Sequence, residues 1–143
     1  MSDWNQKVIE EFRANNGRVA AFARQPILLL THTGAKSGKQ RTNPLAYFRD
    51  GDRYVVVASK GGAPANPDWY YNLIANPRAV IEVGNEQLEV VAEQAEPVER
   101  ERIFAMINDL NPTFKEYEKK AGRIIPLMIL SPALSDVEKS GNK

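Results

Sequence analysis

The residues best suited to chemistry in this sequence are cations and glycines gathered in two loops. The stretch 33–45, TGAKSGKQRTNPL, follows the apolar run PILLL and holds Lys36, Lys39 and Arg41 with Gly34 and Gly38. It is not a nucleotide P-loop. Only three residues separate Gly34 from Gly38, and Gln40 follows Lys39 where a magnesium-binding hydroxyl would stand. Nor does Ser37 sit in a nucleophile elbow, because the glycine spacing around it is wrong. What is left is a turn rich in backbone N–H groups and cations, a concavity suited to phosphate or carboxylate. Taken alone, such a turn is more often a solvated hairpin loop.

A second loop, SKGGAP, offers the Ser59 hydroxyl, Lys60 and the adjacent glycines Gly61 and Gly62, where backbone can approach a ligand closely. Asn66 and the N-terminus of the helix after it add donors. Two such loops in a chain of net charge +1 point to an extended, polyanionic small ligand; two solvated loops are the alternative. His32 is the single histidine and lies in an apolar strand. With no metal-ligand spacing around it, it reads as a packed, hydrogen-bonded histidine. The carboxylates cluster on helical solvent faces and form no acid–base couple, so hydrolytic machinery is absent. In Trp69-Tyr70-Tyr71 at least one ring must face the core, while another could wall a planar ligand. Tyr117 could bring its hydroxyl to a pocket mouth, although by itself a surface place suits it better.

These groups need elements to position them. The 143 residues, 43% hydrophobic and 26% charged, fit one domain with a real core. The near-neutral balance gives no reason to expect nucleic acid. The absence of cysteine excludes disulfides and thiol chemistry and fits a reducing cytoplasm. No run approaches the roughly 20 apolar residues that span a bilayer. Trp4, Val8, Ile9 and Phe12 predict an amphipathic first helix, capped by Ser2 or Asp3 and ended by Asn16-Gly17. A short second helical piece is expected over 18–25. The apolar face of these two segments is expected to pack on the domain; covering a substrate or touching a membrane surface is the alternative. Strands are expected at 27–33, 41–49 and 53–59, the last two as a hairpin around Asp50-Gly51-Asp52. Asn66 should cap a helix with Pro67 at its first position. Strands 79–83 and 87–94 flank Gly84-Asn85. A helix follows with Ile103, Phe104, Ile107 and Leu110 on one face and a solvated Glu/Arg side. TFKEYEKKA adds further helix, RIIPLMILSP a last strand, and the end is a polar tail. Consecutive hairpins favour an α+β, mainly β, barrel-like antiparallel sheet with helices packed around it.

The segments LLLTHTGAKSGKQRTNPL, RDGDRYVVVASKGGAPANPDWYYNLIANP and IPLMIL, in that order over about residues 26–132, closely resemble the deazaflavin (coenzyme F420)-dependent nitroreductase family. The resemblance implies a flavin-reductase-like split β-barrel over 26–132, with a helical segment (1–25) before it and a tail (133–143) after it. It implies reduced F420, F420H2, as cofactor and hydride transfer to a quinone, a nitro compound, or the activated C=C bond of an enone or lactone. F420 carries a phosphodiester and a glutamate tail, the kind of polyanion that two basic loops suit. By family motif, Lys36, Gly38, Lys39 and Arg41 line the tail region. Asn43, Pro44, Val57, Ala58 and Ser59 lie along the deazaflavin ring, Lys60 and Gly61 contact the cofactor, and Trp69 and Asn72 follow on the helix. Tyr117 or Ser59 is the expected acceptor-side hydroxyl. Ala46 and Lys120 depart from a more aromatic acceptor pocket and favour bulky enones or quinones over nitroimidazoles. An FMN-dependent split barrel and a non-catalytic F420 carrier are the alternatives. The chain is expected to act as a monomer or homodimer.

Overall fold

The computed structural model describes residues 3–22, 25–59 and 65–133. Ser2, Lys60, Gly61 and the tail from 134 onward, all singled out in the sequence, lie outside the described residues. Seven strands form one sheet: β1 (Ile27–Thr33), β2 (Gln40–Ala46), β3 (Phe48–Asp50), β4 (Arg53–Val57), β5 (Arg78–Val83), β6 (Glu86–Gln94) and β7 (Leu127–Pro132). Their order is β2-β1-β5-β6-β7-β4-β3, and every neighbouring pair is antiparallel. Four helices accompany them: α1 (Asp3–Ala14), α2 (Asp68–Ala75), α3 (Pro97–Leu110) and α4 (Thr113–Ala121).

The two outermost strands, β2 and β3, are joined through Tyr47 alone. One long strand thus begins as the partner of β1 and ends as the partner of β4, which curls the sheet into a barrel. The sequence predicts a single strand over 41–49 paired with 53–59. The structure corrects this, since only Phe48–Asp50 pairs with β4. Continuing that register would set Ala46 against Val57 and Pro44 against Ser59, and neither pair forms. The barrel is therefore split along 43–46 and 57–59, the open seam of a split barrel. Pro44, with no N–H to offer a second strand, fits such an edge.

Alternation with period two builds three apolar layers. Leu28 and Leu30 of β1, Tyr54 and Val56 of β4, and Met128 and Leu130 of β7 point into the barrel, where Trp69 and Leu73 of α2 join them. Ile27 and Leu29 point outward to Val8, Ile9 and Phe12 of α1. Val55, Leu127 and Ile129 face Ile103, Phe104 and Ile107 of α3. Each such fully buried side chain contributes about 1.5–3 kcal/mol relative to exposure. Val8, Ile9 and Phe12 of α1 are thus buried on β1, while Trp4 at its start is 55% exposed and meets Phe22. No helix among the described residues is long and apolar enough to cross a membrane.

Several local expectations change. Of the piece expected over 18–25, the described residues show a 3-10 turn at Ala20–Phe22, and residues 23–24 lie outside the described residues. Leu110 is exposed rather than part of the buried face of α3. The charged side of α3 is not wholly solvated either. Arg100 is buried, donates from Nε and Nη2 to the Ile125 carbonyl (3.2 and 2.8 Å) and pairs with Glu118 of α4. That contact ties both helices to the start of β7.

Candidate active site

The site follows from strand direction. β1 and β4 run toward one end of the barrel, and β2 starts there. The loop 34–39 and the segment after Val57 therefore leave from the same rim, and α2 plugs that end with Trp69 and Leu73. The apolar run of β1 turns polar at this rim. His32 continues the inward face of Leu28 and Leu30, and its partner across the ladder is Arg41, two residues before Asn43. His32, Arg41, Asn43 and Trp69 line a cavity of about 290 Å³, with Thr42, Pro67, Asp68 and Asn5 of α1 around them. A second cavity, of about 550 Å³, shares Arg41 and Asp68 and runs along Gly34, Lys36, Ser37, Tyr71 and Asn72.

Four groups at this rim are locked together. The Ala35 N–H donates to Asn72 Oδ1 (2.9 Å), which orients the amide so that Asn72 Nδ2 meets His32 Nδ1 (3.0 Å). His32 Nε2 lies 2.6 Å from Asn43 Oδ1. The imidazole is 2% exposed. Burial lowers its pKa, the Asn43 hydrogen bond opposes that, and Arg41 lowers it further while Asp68 raises it. With Oδ1 occupied, Asn43 keeps its Nδ2 donors for the cavity it lines.

Arg13, Arg53, Arg100 and Arg102 are all paired with carboxylates. The side chains of Lys36, Lys39 and Arg41 have no such partner among the described residues. Gly38, at φ +72°, makes the turn between Lys36 and Lys39. Across the seam, Val57 is half-buried, and Ala58 and Ser59 are buried. Arg123 donates to Asn66 Oδ1 (2.5 Å) and to the carbonyls of Ala58 (3.2 Å) and Ala65 (2.9 Å). Asn66 is thereby occupied, and the N-cap of α2 is Pro67 with no side-chain cap, contrary to the sequence expectation.

The structure brings Lys36, Gly38, Lys39, Arg41, Asn43, Trp69 and Asn72 to one rim, and sets Asn43 and Pro44 on the seam that Val57, Ala58 and Ser59 border. Tyr117 stands apart from both cavities. Its half-buried ring meets Phe114 edge-on at 5.7 Å, and Phe114 packs on the Phe48 cluster. Sequence reasoning missed Asn5, Pro67 and Asp68 as lining residues and His32 as the link between two site asparagines. The signal for His32 was its place in the inward phase of β1. Among the described residues no cluster of histidine and carboxylates could hold a metal.

An antiparallel barrel open along one seam, with a basic rim, defines the class by fold: a split β-barrel. The sequence matches the F420H(2)-dependent quinone reductase family over residues 4–132, and the chain belongs to that family. It is 40% identical over 125 residues to an F420H(2)-dependent quinone reductase of Mycobacterium tuberculosis, covering 84% of each chain. The F420-H2 dependent reductase FDR-A superposes with a TM-score of 0.68 at 41% identity, over 74% of this chain and 94% of that one. A chain solved as a domain-swapped dimer matches with a TM-score of 0.70 at 38% identity, over 90% and 98%. The protein is an F420-dependent oxidoreductase, and reduced F420 is its cofactor. Its own residues fit that group, since the rim cations suit an anionic tail and the seam residues Pro44, Leu45, Ala46, Val57 and Ala58 are apolar.

Proposed function

We propose that this protein reduces a quinone with F420H2. Lys36, Gly38, Lys39 and Arg41 would hold the phosphodiester and glutamate tail. Asn43, Pro44, Val57, Ala58 and Ser59 would hold the deazaflavin, with Trp69 and Asn72 behind them. Lys60 and Gly61 join this set by sequence. When bound, the reduced deazaflavin supplies a hydride from carbon C5, so the protein needs no nucleophile. Asn43 Nδ2 offers a fixed hydrogen bond, and the apolar seam excludes water. A hydroxyl, Ser59 or Tyr117, would steady the oxygen of the acceptor as charge develops there. The observation that carries this reading is the meeting, at one rim, of the open seam with three cations that have no carboxylate partner among the described residues.

Fluorescence titration with F420, comparing wild type with Lys36→Ala/Arg41→Ala, tests the cofactor site; turnover of F420H2 with a quinone tests the activity. Saturable binding weakened about tenfold or more in the double variant supports the reading. Binding of FMN instead of F420 would reassign the barrel to a flavin, and F420 binding without quinone turnover would make the protein a carrier. Enones, unsaturated lactones and nitro compounds belong in the same assay, because the small Ala46 at the seam leaves room for bulkier acceptors. The domain-swapped relative supports a homodimer, which the solution mass at micromolar concentration decides.

A further inference from the structure

We infer that His32 is a positioning residue: with its proton on Nε2, it turns the Asn43 amide so that only N–H donors face the cofactor cavity and, through Asn72, it seats the start of the basic loop. The inference rests on the functional reading above for what the cavity holds. It does not rest on that reading for the hydrogen-bond order, which the geometry fixes from one end. The Ala35 backbone can only donate, so Asn72 must present Oδ1 to it (2.9 Å). Asn72 Nδ2 then donates to His32 Nδ1 (3.0 Å), and Nδ1 can carry no proton. The proton is therefore on Nε2, which donates to Asn43 Oδ1 (2.6 Å). One backbone N–H thus sets the polarity of a side chain across the rim.

The same order makes the relay sensitive to acid. A doubly protonated imidazole would point Nδ1–H at Asn72 Nδ2, donor against donor. Turning the Asn72 amide to accept from it would set Nδ2 against the Ala35 N–H. Either way one buried bond is lost, and the seat of the 34–39 loop goes with it. The charged groups facing the imidazole are Arg41 of β2 and Asp68 of α2. From α1 the cavity receives the neutral Asn5. Arg78 of β5 lines the outward side of β1 with Thr31 and Thr33, away from the ring. One like and one opposite charge flank the group, so neither sign alone decides its state.

As the single histidine, His32 gives an unambiguous imidazole 15N signal, and that measurement needs no cofactor. The intact protein should show a Nε2–H imidazole at pH 7. Its acid titration should coincide with a fall in F420 affinity measured by fluorescence. His32→Gln keeps a donor toward Asn43 and should bind F420 between wild type and His32→Leu, without the acid-linked fall. His32→Leu should lose about tenfold in affinity at pH 7.5, the equivalent of one hydrogen bond. Melting temperatures identify any variant that fails to fold, and the Gln variant and the wild-type 15N spectrum still decide the matter. An Nδ1–H tautomer, an imidazolium at pH 7, or a folded His32→Leu with wild-type affinity would overturn the inference. Failure of the wild type to bind F420 would sink the functional reading instead, with the tautomer still answering for His32.

Discussion

Asp50 closes the β3–β4 turn between two arginines. Arg102 of α3 grips both carboxylate oxygens (3.1 Å each), and Arg53 pairs with Oδ2. These hydrogen bonds lower its pKa to about 2. The unfolded carboxylate titrates near 3.8, so the stabilisation is complete above that value and is lost as pH falls from about 4 to about 2. Asp50→Asn should cost about 1–2 kcal/mol at pH 7, discounted for the half-exposed Arg102, and should flatten acid unfolding in that window. Denaturant melts at pH 7 and pH 2.5 check this, since equal losses at both would contradict it. Ser59→Ala at the seam and Tyr117→Phe on α4 each delete one hydroxyl. The one that steadies the acceptor oxygen should lower kcat about 10- to 100-fold, beyond any change in F420 affinity. Stopped-flow oxidation of F420H2 separates them, and no effect from either would leave the proton to solvent. At this scale the sequence showed the cations and seam residues through motif. It could not show that His32 joins Asn43 to Asn72, because that link depends on cross-strand register and on a helix 40 residues away.

Elements were most legible where their signals are local. The strand 27–33, the turn at Gly84-Asn85 and the helix after Pro97 depend on apolar periodicity and turn residues. The bend at Tyr47 was not legible. Nothing in residues 41–49 records that the partner strand changes from β1 to β4. In the piece over 18–25, Val19 and Phe22 reach the α1 cluster from a 3-10 turn at Ala20–Phe22. Gly17 tests how α1 is held. Its φ is +93°, and a Cβ there would lie 2.7 Å from the Gly84 Cα in the β5–β6 turn, backbone against backbone. Gly17→Ala should therefore destabilise the protein by about 1–3 kcal/mol through left-handed strain and displacement of α1. A melt decides it; a loss under 0.5 kcal/mol, roughly the scatter of neutral surface changes, would show that the turn yields freely.

For the whole molecule, net charge and local charge tell different stories. The chain carries 19 basic and 18 acidic residues, so long-range attraction for an anion is small. Yet Arg13, Arg53, Arg100 and Arg102 are held by carboxylates, while Lys36, Lys39 and Arg41 at the rim have no carboxylate partner among the described residues. Attraction for F420 should accordingly be short-ranged and confined to that rim. The Debye length shrinks from about 10 Å at 0.1 M salt to about 3 Å at 1 M, so contacts between exposed lysines and an anionic tail are progressively screened. F420 affinity should fall several-fold between 50 and 500 mM salt, as for any site with two or three exposed ion contacts. Lys36→Ala/Lys39→Ala should start weaker and lose most of the slope. Arg13→Ala, which breaks the pair with Glu82 on the far side of β1, should keep both the affinity and the slope of wild type. If the double variant keeps the full slope, the tail lies elsewhere. If Arg13→Ala changes the slope as much as the rim variant does, the field of the whole protein captures the cofactor, and the basic rim has no special role in holding it.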